Sequence, residues 1–309
     1  MAELHAPRPS PLALSPSWEL TGRHDRPVIA VLGGISAGRH VTANAADPSA
    51  GWWQELVGPG RAIDTDDYRV LGVDWHAPEE GGIDTHHQAA LLARVLDHLH
   101  LSHLSAIVGA SYGGMVALAF AERFPERVGR LSVLCAAHEP HPMATAHRVI
   151  QRRIIRLGLA AGTPSDGVAL ARALGITTYR TAAEFAERFA EPPIEHDGAL
   201  RFPVEGYLDH GGSRYAERCS PERYLALSES IDRHRVDPEA IRTPTELFAV
   251  YGDAIAPPWQ VRELARRLGG PSRLVEITSS YGHDAFLKAI KPVGDFLRES
   301  LDPRRLHAA

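Results

Sequence analysis

Only two cysteines occur in the 309 residues, Cys135 and Cys219, so no disulfide framework organises the chain. Cys135 closes the apolar run LSVLC and is expected simply to be buried. No apolar stretch approaches the roughly 18 residues that a membrane helix needs. The opening MAELHAPRPSPLALSPSW also lacks a basic start followed by an apolar signal core. Both absences lead to the expectation of a cytoplasmic protein with no membrane partner. An excess of positive charge is missing too: 33 Lys and Arg against 38 Asp and Glu give a formal charge of −5, which offers nothing to nucleic acid. There is no internal repeat and no low-complexity run. Histidines number 17, but the pairs His86/His87 and His138/His141 have no cysteine or carboxylate company at ligand spacing, so no metal site is expected.

What the chain does have is length and 44% hydrophobic content, enough for one large α/β domain with an insertion. Residues 1–15 are rich in proline and alanine and read as a loose arm. Strand-like segments follow at 18–21, 27–32, 68–75, 105–109, 130–135, 245–251 and 273–278, and helix patterns at 84–101, 113–124, 257–268 and 284–301. Their alternation predicts a mostly parallel central sheet flanked by helices. Between 142 and 237 no convincing strand occurs. MATAHRVIQRRIIRLG, GVALARALG, AAEFAERF and PERYLALSESID instead carry apolar residues at helical spacing, separated by Gly and Pro. The prediction is a core domain of residues 16–141 and 238–309, with a helical lid inserted at 142–237.

Three residues carry the chemistry. Ser111 lies in Gly109-Ala110-Ser111-Tyr112-Gly113, between an apolar strand run and a helix pattern. A G-x-S-x-G turn there is so tight that glycines must flank the nucleophile, which leaves the hydroxyl exposed and the next N–H free for an oxyanion. Asp253 follows the run TELFAVYG, and His283 follows the strand-like RLVEIT. Serine, acid, then histidine is the chain order of α/β-hydrolase triads. A serine hydroxyl is a weak nucleophile and needs a base in reach and a third group to fix the base's tautomer, roles that suit His283 and Asp253. One oxyanion donor is expected from the Tyr112 backbone. The second is expected from Gly34 or Ile35, in the glycine turn after VIAVL.

With the triad placed, longer strings resemble the homoserine O-acyltransferases of methionine biosynthesis, the MetX branch of the α/β-hydrolase superfamily. The strings are Gly282 to Leu287 (GHDAFL), Gly175 to Arg180 (GITTYR) with FAERF following, Val204 to Leu208 (VEGYL) and Tyr224 to Ser228 (YLALS). GWW at 51–53, VGPG at 57–60 and IDT at 63–65 look like the same family. The resemblance implies transfer of an acyl group from acyl-CoA, a co-substrate rather than a cofactor, to the hydroxyl of L-homoserine. It also implies that Arg180 holds the amino-acid carboxylate and Asp284 the amino group, and that a homodimer forms through the lid. A guanidinium fork suits a carboxylate, and a carboxylate accepts from an ammonium.

The chain departs from the family pattern in places. Ala110 stands for the usual asparagine, Tyr112 for the usual methionine, and Gly33-Gly34-Ile35-Ser36 for leucine-threonine-glycine. Only HAPEEGGIDTHHQ fills the gap after Trp75, where the family carries a longer glycine- and proline-rich segment. Short members of this kind are identified with succinyl rather than acetyl transfer. A succinyl donor brings a distal carboxylate that calls for a cation, and Arg39, Arg148, Arg152 and Arg153 lie in suitable neighbourhoods of the sequence. L-serine is a second candidate acceptor, one methylene shorter and separable by only about 1–3 kcal/mol. The triad would equally serve an esterase or thioesterase, and the fold by itself would also suit a non-catalytic binding protein.

Overall fold

Residues 17–78 and 82–302 are described by the computed structural model. The expected arm at 1–15 therefore lies outside the described residues, as does part of the short segment after Trp75. In chain order the strands are β1 (Trp18–Thr21), β2 (Val28–Leu32), β3 (Arg69–Val73), β4 (Ala106–Ala110), β5 (Leu131–Leu134), β6 (Ile194–His196), β7 (Ala199–Arg201), β8 (Thr245–Tyr251) and β9 (Ser272–Thr278). Seven of them form one sheet in the order β1-β3-β2-β4-β5-β8-β9. Only the β1 to β3 pairing is antiparallel.

All five residues of β2 and of β4 are buried, as their unbroken apolar runs require of central parallel strands covered on both faces. Alternate residues feed two separate cores. Ala30, Leu32 and Ile107 face one layer, and Ile29, Val31 and Val108 the other. At about 1.5–3 kcal/mol for each fully buried aliphatic side chain, these layers make the sheet a stiff base for the loops at its edge.

Ten α-helices occur among the described residues: α1 (Thr85–His98), α2 (Tyr112–Arg123), α3 (Pro142–Ala160), α4 (Pro164–Tyr179), α5 (Ala182–Arg188), α6 (Pro203–Ala216), α7 (Pro221–Asp232), α8 (Pro258–Arg267), α9 (Ala285–Lys288) and α10 (Ile290–Ser300). The helical pattern expected as one stretch over 284–301 is broken at Ala289. Pro292 causes this, because its ring cannot follow a carbonyl four residues back; it is accommodated in the first turn of α10, where its missing N–H costs nothing.

Helices α3 to α7 all lie between β5 and β8. Four of them, α3, α4, α6 and α7, begin at a proline whose fixed φ suits the first helical position. Gly158 and Gly167 let α3 and α4 touch: a Cβ on Gly158 would stand 2.8 Å from the Gly167 Cα. The block has its own small core of Ile155, Val168, Ala171, Tyr215, Cys219 and Tyr224.

Two elements here correct the sequence reading. The block expected to be free of strands contains the hairpin of β6 and β7, turned by Asp197 and Gly198 at φ 52° and 74°. Asp-Gly is the residue pair such a turn demands, so the signal is present in the sequence. Helix α6 is missing from the expected helices because Gly206, Gly211 and Gly212 weaken its pattern.

Candidate active site

The turn from β4 into α2 puts Ser111 at φ 55° and ψ −120°, a conformation costing about 1–3 kcal/mol for a residue with a side chain. Its flanking glycines are sterically required. A Cβ on Gly109 would lie 2.4 Å from the Gly113 carbonyl oxygen, and one on Gly113 would lie 2.1 Å from that of Leu32. Strand β8 delivers Asp253 and β9 delivers His283 to the same carboxyl edge of the sheet, where ligands of open α/β sheets gather.

The three side chains meet. Ser111 Oγ is 2.8 Å from His283 Nε2, and His283 Nδ1 is 2.8 Å from Asp253 Oδ2. The other carboxylate oxygen of Asp253 accepts from the backbone N–H groups of Ile255 and Ala256, at 2.8 and 2.9 Å. Both Asp253 and His283 are buried. Burial alone would lower the pKa of the imidazole. The Asp253 charge and hydrogen bond, with Asp284 adding to them, outweigh that and hold it above its ordinary value. Cys135 stands beside Asp253, and burial first, then that carboxylate, pushes its thiol far up and keeps it a neutral wall residue.

The expected oxyanion residues Gly34, Ile35 and Tyr112 line the same cavity as Ser111. Tyr112 is the first residue of α2, so its N–H has no acceptor within the helix. A Cβ on Gly34 would lie 3.9 Å from that of Ser111. The Gly34 carbonyl accepts from Trp75 Nε1 at 3.0 Å and from the Ala37 N–H at 2.9 Å. Trp75 packs edge-on against the Tyr112 ring, centroids 4.9 Å apart, and the Tyr112 hydroxyl meets Ser230 Oγ at 2.6 Å. Tyr112 thus packs against the indole that holds the glycine turn.

Ser111 and His283 open into a cavity of about 290 Å³, roofed by residues of α3, α4 and α7 such as Gln151, Tyr179 and Ser228. Asp284 lines it; Arg180 does not. The two expected substrate residues are instead ion-paired to each other, Arg180 Nε donating to Asp284 Oδ2 at 2.8 Å. Arg180 Nη1 also donates to Glu184 Oε1 at 2.7 Å.

The four arginines picked from their sequence neighbourhood fare differently. Arg39 is half exposed and paired with Asp74, and Arg153 is exposed. Arg148 lines the cavity, but it shares Asp232 with Arg152. Arg172, which sequence reasoning misses, lines the cavity from α4. The available signal is its place seven residues before Tyr179, two helical turns away on the same face. Among the described residues no group of three His, Cys, Asp or Glu side chains could hold a metal.

The hydrogen-bonded chain of Ser111, His283 and Asp253 on the carboxyl edge of a mostly parallel sheet is the arrangement of the α/β-hydrolase class, and a family described as alpha/beta hydrolase fold matches residues 27–289. A homoserine O-succinyltransferase of Xanthomonas campestris pv. campestris is 42% identical over 287 residues, which cover 92% of this chain and 78% of that one. A homoserine O-acetyltransferase of Geotalea daltonii is 31% identical over 85% of this chain and 84% of its own. The crystal structure of a homoserine O-acetyltransferase from Bacillus anthracis superposes with a TM-score of 0.84 at 18% identity, over 92% of this chain and 91% of that one. The chain belongs to the homoserine O-acyltransferase family of the α/β-hydrolase fold.

Proposed function

We propose that the protein is a homoserine O-acyltransferase of methionine biosynthesis, moving an acyl group, succinyl ahead of acetyl, from acyl-CoA to the hydroxyl of L-homoserine. The observation that carries this reading is that Ser111 and His283, the latter held by Asp253, line one cavity with Asp284, itself paired to Arg180.

Ser111 Oγ attacks the thioester carbonyl while His283 Nε2 takes its proton and passes it to the departing CoA thiolate. The homoserine hydroxyl then attacks the acyl-enzyme, giving its proton to His283, which returns one to Ser111 Oγ. Asp253 fixes the imidazole throughout. The Tyr112 N–H is one oxyanion donor, and the second is the Ile35 N–H rather than that of Gly34. The Gly34 carbonyl faces Trp75 and Ala37, and in a trans peptide the N–H of the next residue points the opposite way. The lid helices keep water from the acyl-enzyme between the two half-reactions. No cofactor takes part in any step. The homoserine ammonium meets Asp284 in the cavity, and its carboxylate takes up the Arg180 guanidinium once the pair between the two side chains opens.

The deciding measurement is CoA thiol release with succinyl-CoA and acetyl-CoA, each with L-homoserine, L-serine or no acceptor. Homoserine-dependent release, faster with succinyl-CoA, is expected. Release indifferent to acceptor would make the protein a thioesterase and refute the reading.

We place the enzyme in the cytoplasm, where acyl-CoA is available, and as a homodimer joined through α3. Met143, Ile150 and Leu157 recur every seven residues on that helix and are 59%, 47% and 70% exposed, an apolar stripe that a second copy would cover. Sedimentation of the wild type should give a dimer and that of Ile150→Glu with Leu157→Glu a monomer. A monomeric wild type would rule this contact out.

A further inference from the structure

The second oxyanion donor sits on a peptide that its own residues do little to restrain. Gly33 is boxed in, since a Cβ there would stand 2.4 Å from that of Ala37 and 2.9 Å from the Trp52 ring. Gly34 is not. A Cβ on it would meet nothing nearer than 3.9 Å, and glycine rotates freely where packing does not stop it. Rotation of the peptide between Gly34 and Ile35 would swing the Ile35 N–H away from Ser111. Two donors oppose that by holding the Gly34 carbonyl, the Ala37 N–H at 2.9 Å and Trp75 Nε1 at 3.0 Å. The first belongs to the same turn and moves with it, whereas Trp75 is anchored elsewhere.

Trp75 follows β3, is 3% exposed and does not line the cavity. Its backbone is clamped from two sides. Arg223 Nη1, on lid helix α7, donates to the Trp75 carbonyl at 3.0 Å. The next residue, His76, exchanges two hydrogen bonds with the buried Gln88 of α1: its N–H donates to Oε1 at 3.2 Å, and Gln88 Nε2 donates to its carbonyl at 2.7 Å. The edge-on contact with Tyr112, whose hydroxyl meets Ser230 of α7, fixes the ring. A buried indole N–H without an acceptor costs about 1–3 kcal/mol, so a ring held in this way keeps its bond to the turn closed.

We propose that Trp75 is a positioning residue for acyl transfer, its indole N–H fixing the peptide that aims the second oxyanion donor at the reacting carbonyl. This rests on the reading of Ser111 as nucleophile with the Ile35 N–H as second donor. It goes beyond that reading by naming the side chain that sets the donor's direction, one that touches neither substrate nor nucleophile.

The test uses p-nitrophenyl acetate, which acylates Ser111 and is released to water without CoA or homoserine. Trp75→Phe removes the donor and keeps a ring against Tyr112. Losing an oxyanion donor outright costs about 10²–10³-fold, and a donor left free to turn should cost about 30-fold in kcat, with KM within about threefold of the wild type. Trifluoroacetone supplies a reading that a merely structural role would not move. Ser111 Oγ adds to its carbonyl carbon, the serine proton passes to His283 Nε2, and the former carbonyl oxygen is left as an oxyanion between the two N–H groups. Its dissociation constant should rise by about the same factor as kcat/KM falls. Trp75→benzothienylalanine, which puts sulfur in place of the N–H in a ring of the same shape, should give the same losses and preserves the test if the Phe variant does not fold. A kcat within threefold of the wild type in the sulfur variant would overturn the proposal. So would a loss confined to KM, or a ketone affinity that does not move. If homoserine-dependent CoA release is absent but these losses are seen, the acyltransferase reading fails and the assignment of Trp75 stands.

Discussion

Ser111→Ala should lower kcat for acyl transfer by about 10⁶-fold and leave folding stability within roughly 1 kcal/mol of the wild type. The loss is that large because no second group can carry the acyl chain. Cys135 is buried with its thiol held protonated by burial and by Asp253, and the His283 imidazole is tied to that same carboxylate. Stability should hold because alanine has the same backbone preferences as serine and the hydroxyl makes a single contact, to His283 Nε2. A fluorophosphonate probe should label the wild type and spare the variant. Turnover within tenfold of the wild type would mean direct attack of the acceptor on the thioester and would remove the acyl-enzyme from the mechanism.

Asp253→Asn comes next in size, with an expected loss in kcat of about 10⁴-fold. The geometry says why an isosteric change is so damaging. One carboxylate oxygen accepts from the Ile255 and Ala256 N–H groups, so the amide oxygen of the replacement takes that place and its NH₂ is left facing His283 Nδ1. The imidazole must then accept at Nδ1 and carry its proton on Nε2, which faces Ser111 in the wrong tautomer to act as a base.

A pH profile separates this effect from simple misfolding. Protonated His283 cannot take the serine proton, so wild-type kcat/KM should fall as the pH drops through a value above 6.5. Without the Asp253 charge the desolvation of the buried ring dominates and its pKa falls, so the residual activity should persist to lower pH. An acid limb that does not move would show that Asp253 does not set the charge state of His283.

The inner strands of the sheet were legible in the sequence because β2, β3, β4, β5 and β8 are short, largely apolar runs that are mostly buried. That Ser111, Asp253 and His283 would come together was legible because each follows the end of a strand at the same edge of the sheet. The turn at Ser111 could be read in full, since Gly109 and Gly113 are forced by backbone contacts that any such turn makes. Failures fall where composition and conformation part company. Glycines hid α6, and Pro292 split a helix whose apolar pattern runs straight through the break. Arg172 was hidden for a different reason. Which guanidinium is paired depends on where Asp232, Asp284 and Glu184 come to lie, and those contacts span up to 104 residues of chain. Neighbourhood in sequence therefore pointed alike to Arg39, Arg148, Arg152 and Arg153, of which the first three fold onto carboxylates within the protein.

The pairing of Arg180 with Asp284 has a thermodynamic consequence. On the proposed reading, an acceptor zwitterion entering this site would displace one set of ion pairs and install another of the same kind, so its net binding free energy would be a small difference between similar quantities. Affinity for the amino acid would thereby be held low while orientation stayed strict, since only a molecule with both charges at the right separation could make the full exchange. A monovalent acid that took Arg180 would leave Asp284 without its cation and would be disfavoured without any steric barrier. Discrimination in such a site is written into the empty protein, in the bond that must be replaced.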